Sequence, residues 1–222
     1  MRAGKSKVHK FKELRSSFID TSDTDESGTE LLLWPTRIYI AKSPQPWIPA
    51  VLNLIHNTDR SFQADWYNKD FLKWPYPEIQ LFKDFLRPHV HRVIENLHDW
   101  GWAAWVNVTP DATSWHNAHV HDNTSYSFVY YLAAPPIELN LQDAKRGSNK
   151  GGVIELTDPR GAAPYMYRNG ESPLGMQLRI QPEAGMLIIF PAYLMHSVAP
   201  LGVDSARVSI AGNIANLSFK QP

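Results

Sequence analysis

The 222-residue chain contains no cysteine. That removes disulfide scaffolds, thiolate zinc sites, iron–sulfur clusters and cysteine nucleophiles, and it fits a reducing compartment. There is no net charge either, 22 Lys and Arg balancing 22 Asp and Glu, so no global field draws the chain to nucleic acid or to an anionic membrane surface. No apolar run approaches the roughly 18 residues of a membrane span, and the first residues lack the apolar core of a signal peptide. A soluble, cytoplasmic protein with no nucleic-acid or membrane partner is expected. What the chain does have is an ordinary globular share of hydrophobic residues, 43%. Its length suits one substantial domain, which at this size buries roughly 70% of the surface of the unfolded chain and needs no covalent or metal staple.

The zero charge conceals a dipolar start. From Met1 to Arg15 six basic residues stand against Glu13 alone, and from Ser16 to Glu30 there are five acids and no base. So polar a stretch cannot repay its ordering entropy, and residues 1–30 are expected to form a flexible charged arm ahead of a single domain over 31–222. In residues 31–100, Leu31–Trp34, Pro35 and Arg37–Ala41 read as a first strand and Trp47–His56 as a short helix. Pro77–Trp100 carries an apolar stripe at helical spacing through Ile79, Phe82, Leu86, Val90, Val93 and Leu97, which would cover one face of a sheet. Pro88 should kink or split that helix.

After Gly101 the pattern shortens. Trp102–Val108, His119–His121, Ser127–Leu132, Gly152–Leu156, Met176–Ile180, Met186–Phe190, His196–Val198 and Val208–Ile214 are apolar or alternating segments, separated by Gly and Pro turn signals. Such a run predicts a mainly β fold, a sandwich or barrel over 101–216 with the helices flanking it.

The tripeptide HVH occurs at His89–His91 and again at His119–His121. On a helix, side chains two apart diverge by about 200°, so His89 and His91 cannot share an ion. On a strand, residues two apart face the same side, so His119 and His121 can converge, and His196 arriving from another strand would complete a three-ligand face with open positions. His116 is expected beside the site or on the surface. Arg207 follows His196 by eleven residues, with Ser209 two further on in RVSI. An Arg fork with a hydroxyl on the same strand face is a carboxylate receptor.

At this point the chain resembles the Fe(II)- and 2-oxoglutarate-dependent oxygenases. The resemblance rests on SWHNAHVHDN, SFVYYL, GGVIELTDPR, PEAGMLIIFPAYLMHSVAP and RVSIAGNI, spans roughly residues 102–216, and points to a bacterial and phage branch of unknown substrate. It implies a double-stranded β-helix, or jelly roll, of cupin-like type. It also implies His119 and His196 as iron ligands, Arg207 and Ser209 on the distal carboxylate of 2-oxoglutarate, and Tyr131 as a donor to that carboxylate. One departure stands out: two residues after the first His the family has an acid, whereas this chain has His121, with Asp122 one position late. Strand parity favours His121; Asp122 would need a bulge to turn inward, and a site with fewer protein ligands is the third reading.

The activity so implied is that of a dioxygenase. With Fe(II), 2-oxoglutarate and O2 it would oxidise, most simply hydroxylate, an unactivated C–H bond of a small-molecule or peptide substrate and release succinate and CO2. Asn107 is a further candidate contact to cosubstrate or substrate, and Arg160 and Trp115 are candidate substrate contacts. A homodimer through the helical layer is compatible with the pattern. The competing readings are a cupin-type or three-His zinc or iron enzyme that ignores 2-oxoglutarate, and a non-catalytic jelly-roll binding module. A zinc enzyme has no use for Arg207 and Ser209, and the cupin motifs want a Glu where Ser125 and Tyr126 stand.

Overall fold

Short segments with two-residue periodicity pair into two antiparallel sheets in a computed structural model, which describes residues 25–33, 36–57, 66–68, 71–94, 100–135, 151–161, 177–203 and 205–216. The larger sheet contains β1 (Thr29–Leu33), β2 (Thr36–Lys42), β3 (Trp66–Asn68), β4 (Trp100–Thr109), β6 (Tyr126–Ala133), β9 (Met186–Pro191) and β11 (Arg207–Asn216), in the order β1-β2-β9-β6-β11-β4-β3. The smaller holds β5 (His116–His119), β7 (Ile154–Thr157), β8 (Gln177–Ile180) and β10 (His196–Val198), in the order β5-β10-β7-β8. Two helices, α1 (Ile48–Asn57) and α2 (Pro77–Val93), accompany them. The architecture is the jelly roll with flanking helices that the sequence led us to expect.

Period-two alternation divides the core into two layers. Ile38, Ile40, Val129, Tyr131, Ile188 and Phe190 face the smaller sheet and meet Ile154, Leu156 and Leu178. The intervening residues Tyr39, Ala41, Phe128, Tyr130, Leu187 and Ile189 face the helices, where Val51, Ile55, Phe82 and Leu86 cover them. With both faces buried, β6 and β9 read as almost continuous apolar runs. Gly212 in β11 is required by this packing, since a Cβ there would collide with the Phe128 ring and lie 2.5 Å from the Ala103 carbonyl oxygen.

Four features differ from the sequence reading. Leu31–Ala41 is a hairpin of two strands, with Leu33 opposite Thr36, because Pro35 cannot donate to a ladder. Helix α2 runs continuously through Pro88 and stops at Val93, where Ile94 is already extended; Pro88 and Asp84 are both exposed, so water can take the Asp84 carbonyl that the proline leaves unpaired. Trp100 accordingly belongs to β4, not to the helix. β3 and the single 3₁₀ turn Phe71–Lys73 were not anticipated. Of the predicted arm, residues 1–24 lie outside the described residues. Asp25–Gly28 form a turn whose Ser27 carbonyl accepts from Arg92 and from the Tyr39 hydroxyl, and β1 starts at Thr29.

The helical HVH diverges as its geometry requires: His91 is exposed, whereas His89 is buried with its Nδ1 2.7 Å from the Tyr39 hydroxyl oxygen. Burial, and secondarily the positive charge of Arg92, push the His89 imidazole down to about 4 from an ordinary 6.5. The unfolded chain then binds a proton between those values that the folded chain refuses. The contribution to stability is full above 6.5 and is lost as pH falls toward 4, up to about 3 kcal/mol. Replacing His89 with Gln should flatten the acid limb of a melting-temperature profile relative to the parent protein; parallel profiles would count against this assignment.

Candidate active site

β11 lies between β6 and β4, and its alternate residues define successive rows across three strands. Ser209 stands opposite Tyr131 and Asn107, Ala211 opposite Val129 and Trp105, and Asn213 opposite Ser127 and Ala103. Arg207, at the head of the strand, is opposite Thr109. The first two of these rows, together with Arg207, line a cavity of about 260 Å³ between the sheets, and the smaller sheet contributes His119 and His196. That is near the lower end of small-molecule sites, roughly 300–1,000 Å³.

His119 closes β5 and is the direct partner of His196 on β10. His121 lies two residues beyond, past the end of the strand, where its backbone N–H donates to the Ala192 carbonyl at 3.1 Å. His121 thus joins the other two histidines, as strand parity led us to expect, through a backbone that has already left the ladder. The three imidazole rings lie with centroids 4.2 to 5.1 Å apart, and one ligand nitrogen from each falls within 4.8 Å of the others. Asp122 is exposed and outside this cluster.

The tautomers are set by neighbours. His119 Nδ1 donates to the Asn117 carbonyl at 2.7 Å and His196 Nδ1 to the Leu194 carbonyl at 2.9 Å; a carbonyl can only accept, so each neutral ring keeps a lone pair on Nε2. Burial pushes His196 down to about 4, and His121 is likewise lowered by burial and by its neighbour His119. Both shifts favour the neutral imidazole, the form that binds a metal.

Arg207 is 2% exposed. Its Nη1 donates to the Gly152 carbonyl at 3.0 Å and its Nη2 to the Thr109 hydroxyl at 2.9 Å, while its Nε is buried without a partner. Burial lowers its pKa, and the nearby Tyr131 opposes that shift; burial pushes Tyr131 itself up to about 12. Beside this orphaned N–H stand the neutral donors Tyr131, Ser209 and Asn107, all lining the same cavity. A buried cation with an unpaired N–H among neutral donors is built for an anion with planar oxygens.

The remaining sequence candidates separate. His116 and Asn107 line the cavity. Trp115 is 56% exposed, just ahead of β5 and outside the lining. Arg160 also stands apart from the lining; its guanidinium is engaged bidentately by Asp158, at 3.0 and 2.7 Å, which is the ordinary geometry of its turn. Two residues of consequence were missed. Thr109 continues the inward parity of Trp105 and Asn107, a signal that was available. Gly152 was read only as the start of the Gly152–Leu156 segment, next to a turn signal; it has φ +62°, and a Cβ there would stand 2.8 Å from Leu201 and 3.4 Å from Arg207 Nη1. Thr109→Val removes the acceptor for Nη2 and should weaken binding of a cavity dicarboxylate roughly three- to tenfold, the value of one neutral hydrogen bond, with Thr109→Ser restoring it. Calorimetry on the two variants measures this.

Residues 103–213 match the family described as "Putative 2OG-Fe(II) oxygenase". The chain belongs to this oxygenase family. As a 2OG-Fe(II) oxygenase it is an oxidoreductase, and its family implies Fe(II) and 2-oxoglutarate. The fold has the same kin. A Pseudomonas putida prolyl-4-hydroxylase is similar at 15% identity and TM-score 0.52, over 81% of this chain and 85% of that one. A prolyl hydroxylase from Trichoplax adhaerens, in complex with a hypoxia inducible factor peptide fragment, is 15% identical with TM-score 0.57, over 83% and 87%. HygX from Streptomyces hygroscopicus, with nickel and 2-oxoglutarate bound, is 12% identical with TM-score 0.54, over 83% and 84%. No curated protein matches the chain. The residues present in this oxygenase fit both groups its family implies: three converging imidazoles for a divalent metal, and an orphaned buried guanidinium N–H for a carboxylate. Among the described residues no helix is long and apolar enough to cross a membrane.

Proposed function

We propose that the chain is a dioxygenase that hydroxylates an unactivated C–H bond of a small-molecule or peptide substrate, with succinate and CO2 as coproducts. The observation that carries this reading is the partnerless Nε of Arg207 in the same small cavity as three histidines whose ring nitrogens converge within 4.8 Å of one another. A metal enzyme indifferent to 2-oxoglutarate would have no reason to keep the buried Nε–H of a guanidinium unpaired.

His119, His121 and His196 are the metal ligands in this reading, and Arg207, Ser209, Tyr131 and Asn107 hold the distal carboxylate. Iron and 2-oxoglutarate, when bound, supply the oxidising chemistry that uses O2. The chain's own contribution is positional. Gly152 and Thr109 fix the guanidinium plane, so the carboxylate is received in one orientation. The carbonyls of Asn117 and Leu194 aim two of the imidazoles. The apolar row Val129, Ala211 and Trp105 floors the space between the anion clamp and the open end and keeps it poor in water.

Anaerobic addition of Fe(II) and 2-oxoglutarate should produce a visible charge-transfer band, and addition of air should yield succinate. Absence of the band, with no change in melting temperature on adding 2-oxoglutarate, would overturn the reading.

A further inference from the structure

The inward face of β11 continues past the metal-binding end of the cavity to a third row, Ser127, Asn213 and Ala103. Ser127 is buried and lines the same cavity as the three histidines; Asn213, opposite it on β11, is half-buried and stands outside that lining. The Ser127 hydroxyl donates to Asn213 Oδ1 at 3.0 Å, which occupies the acceptor end of that amide and turns the Nδ2 hydrogens away from Ser127. Nδ2 itself has no partner among the described residues. The polar end of this row therefore offers a donor. Its neighbours are uncharged: Ala103 in the same row, and Val129, Ala211 and Trp105 in the row before. Among the described residues no Asp or Glu lines the cavity, and the one permanent cation that does, Arg207, is at the opposite end of the strand face.

Same-face residues of a strand are separated by roughly 6.8 Å, so Ser209 and Asn213 lie about 14 Å apart along β11. The first half of that span belongs to the anion clamp. The second half, between the small Ala211 and the Asn213 amide, is left for a second molecule, with the Trp105 ring 5.9 Å from that of His121.

Resting on the function proposed above, we infer that Asn213, held by Ser127, is a specificity-determining contact that donates to a neutral carbonyl of the substrate. The apolar remainder of the substrate lies over Ala211 and Trp105. An ammonium group would meet a donor at Asn213 and a cation at Arg207. A carboxylate would be stripped of water against uncharged groups, which costs more than neutral donors return. A ketone, ester or amide carbonyl accepts from the amide without either penalty.

The test uses full-length protein loaded with zinc(II) and saturated with 2-oxoglutarate, and three probes of similar shape: cyclohexyl methyl ketone, cyclohexanecarboxylate and 1-cyclohexylethylamine. Binding is read by saturation-transfer NMR. The ketone should bind most tightly, and Asn213→Ala should weaken it roughly three- to tenfold, the equivalent of one neutral hydrogen bond. The isosteric Asn213→Asp, which exchanges the donor for an anion, should move the preference from the ketone to the amine. Equal ketone affinity in the parent and Asn213→Ala proteins, an unchanged probe order in Asn213→Asp, or no binding of the ketone at millimolar concentration each overturns the inference. Calorimetry with 2-oxoglutarate alone is run in parallel: failure there defeats the dioxygenase reading, whereas normal binding with an Asn213-independent probe order defeats only this one.

Discussion

Arg207→Met should reduce the affinity for 2-oxoglutarate by two to three orders of magnitude and remove the charge-transfer band, while leaving Fe(II) binding in place. The size follows from burial. Arg207 is 2% exposed, and its two Nη groups are already committed to Gly152 and Thr109. Truncating one member of a buried, hydrogen-bonded charge pair costs about 2–5 kcal/mol, or roughly 30- to several-thousand-fold in affinity. Methionine fills much of the volume, so the loss reports the charge and the N–H and not a collapsed cavity. Arg207→Lys should not rescue binding, because an ammonium cannot reach Gly152, Thr109 and the anion at once. Isothermal titration of the anaerobic Fe(II) protein measures the effect; affinity within a few-fold of the parent would remove Arg207 from the site.

The second large effect concerns the metal. His121→Ala should lower Fe(II) affinity by more than the roughly 10–100-fold that loss of an outer hydrogen-bonding partner costs, since a ligand itself is removed. Asp122→Ala should leave it unchanged. Three observations separate the two residues: the His121 nitrogen joins the cluster of three, its ring centroid is 5.1 Å from both His119 and His196, and Asp122 is exposed. An all-imidazole set adds no negative charge, so the bound metal keeps its full double positive charge toward an incoming dicarboxylate. His121→Asp therefore probes charge separately from ligand count: metal binding should persist, and the affinity for 2-oxoglutarate should fall because the site has lost one unit of positive charge. Equilibrium dialysis across the three variants decides; a loss in Asp122→Ala equal to that in His121→Ala would overturn the assignment.

How much of this was legible beforehand depends on the range of the interaction concerned. Each of the eight segments marked after Gly101 meets a strand, though His119–His121 shares only His119 with β5, because two-residue alternation between Gly and Pro turns is a local signal and needs no knowledge of partners. The same parity put His119 and His121 together and set Ser209 in step with Arg207. β3 escaped because three residues, Trp66–Asn68, carry no period. The hairpin at Leu33 and Thr36 escaped because Pro35 was treated as an interruption within one strand when it separates two. Gly152 could not have been found by any local rule. Its carbonyl meets Arg207 only because the segment before β7 pairs with Pro200 and Leu201 and so comes beside the head of β11, a contact spanning 55 residues. Asn213 was visible as one more inward residue of β11, but its role depends on Ser127 taking its acceptor from the neighbouring strand.

β5 is a four-residue strand at the margin of the smaller sheet, joined to β10 by two register pairs with an irregularity between them. One of those pairs is His119 with His196. An ion drawn by both rings, and by His121 just beyond, would clasp the outermost strand to its neighbour where backbone pairing is sparsest. Metal occupancy would then be part of the protein's defence against its own edge: stripped by a chelator, β5 would be freer to peel and to offer a template to another chain. Loss of iron in this protein would thus be felt first as loss of solubility on storage, well before any change in the helices that back the larger sheet.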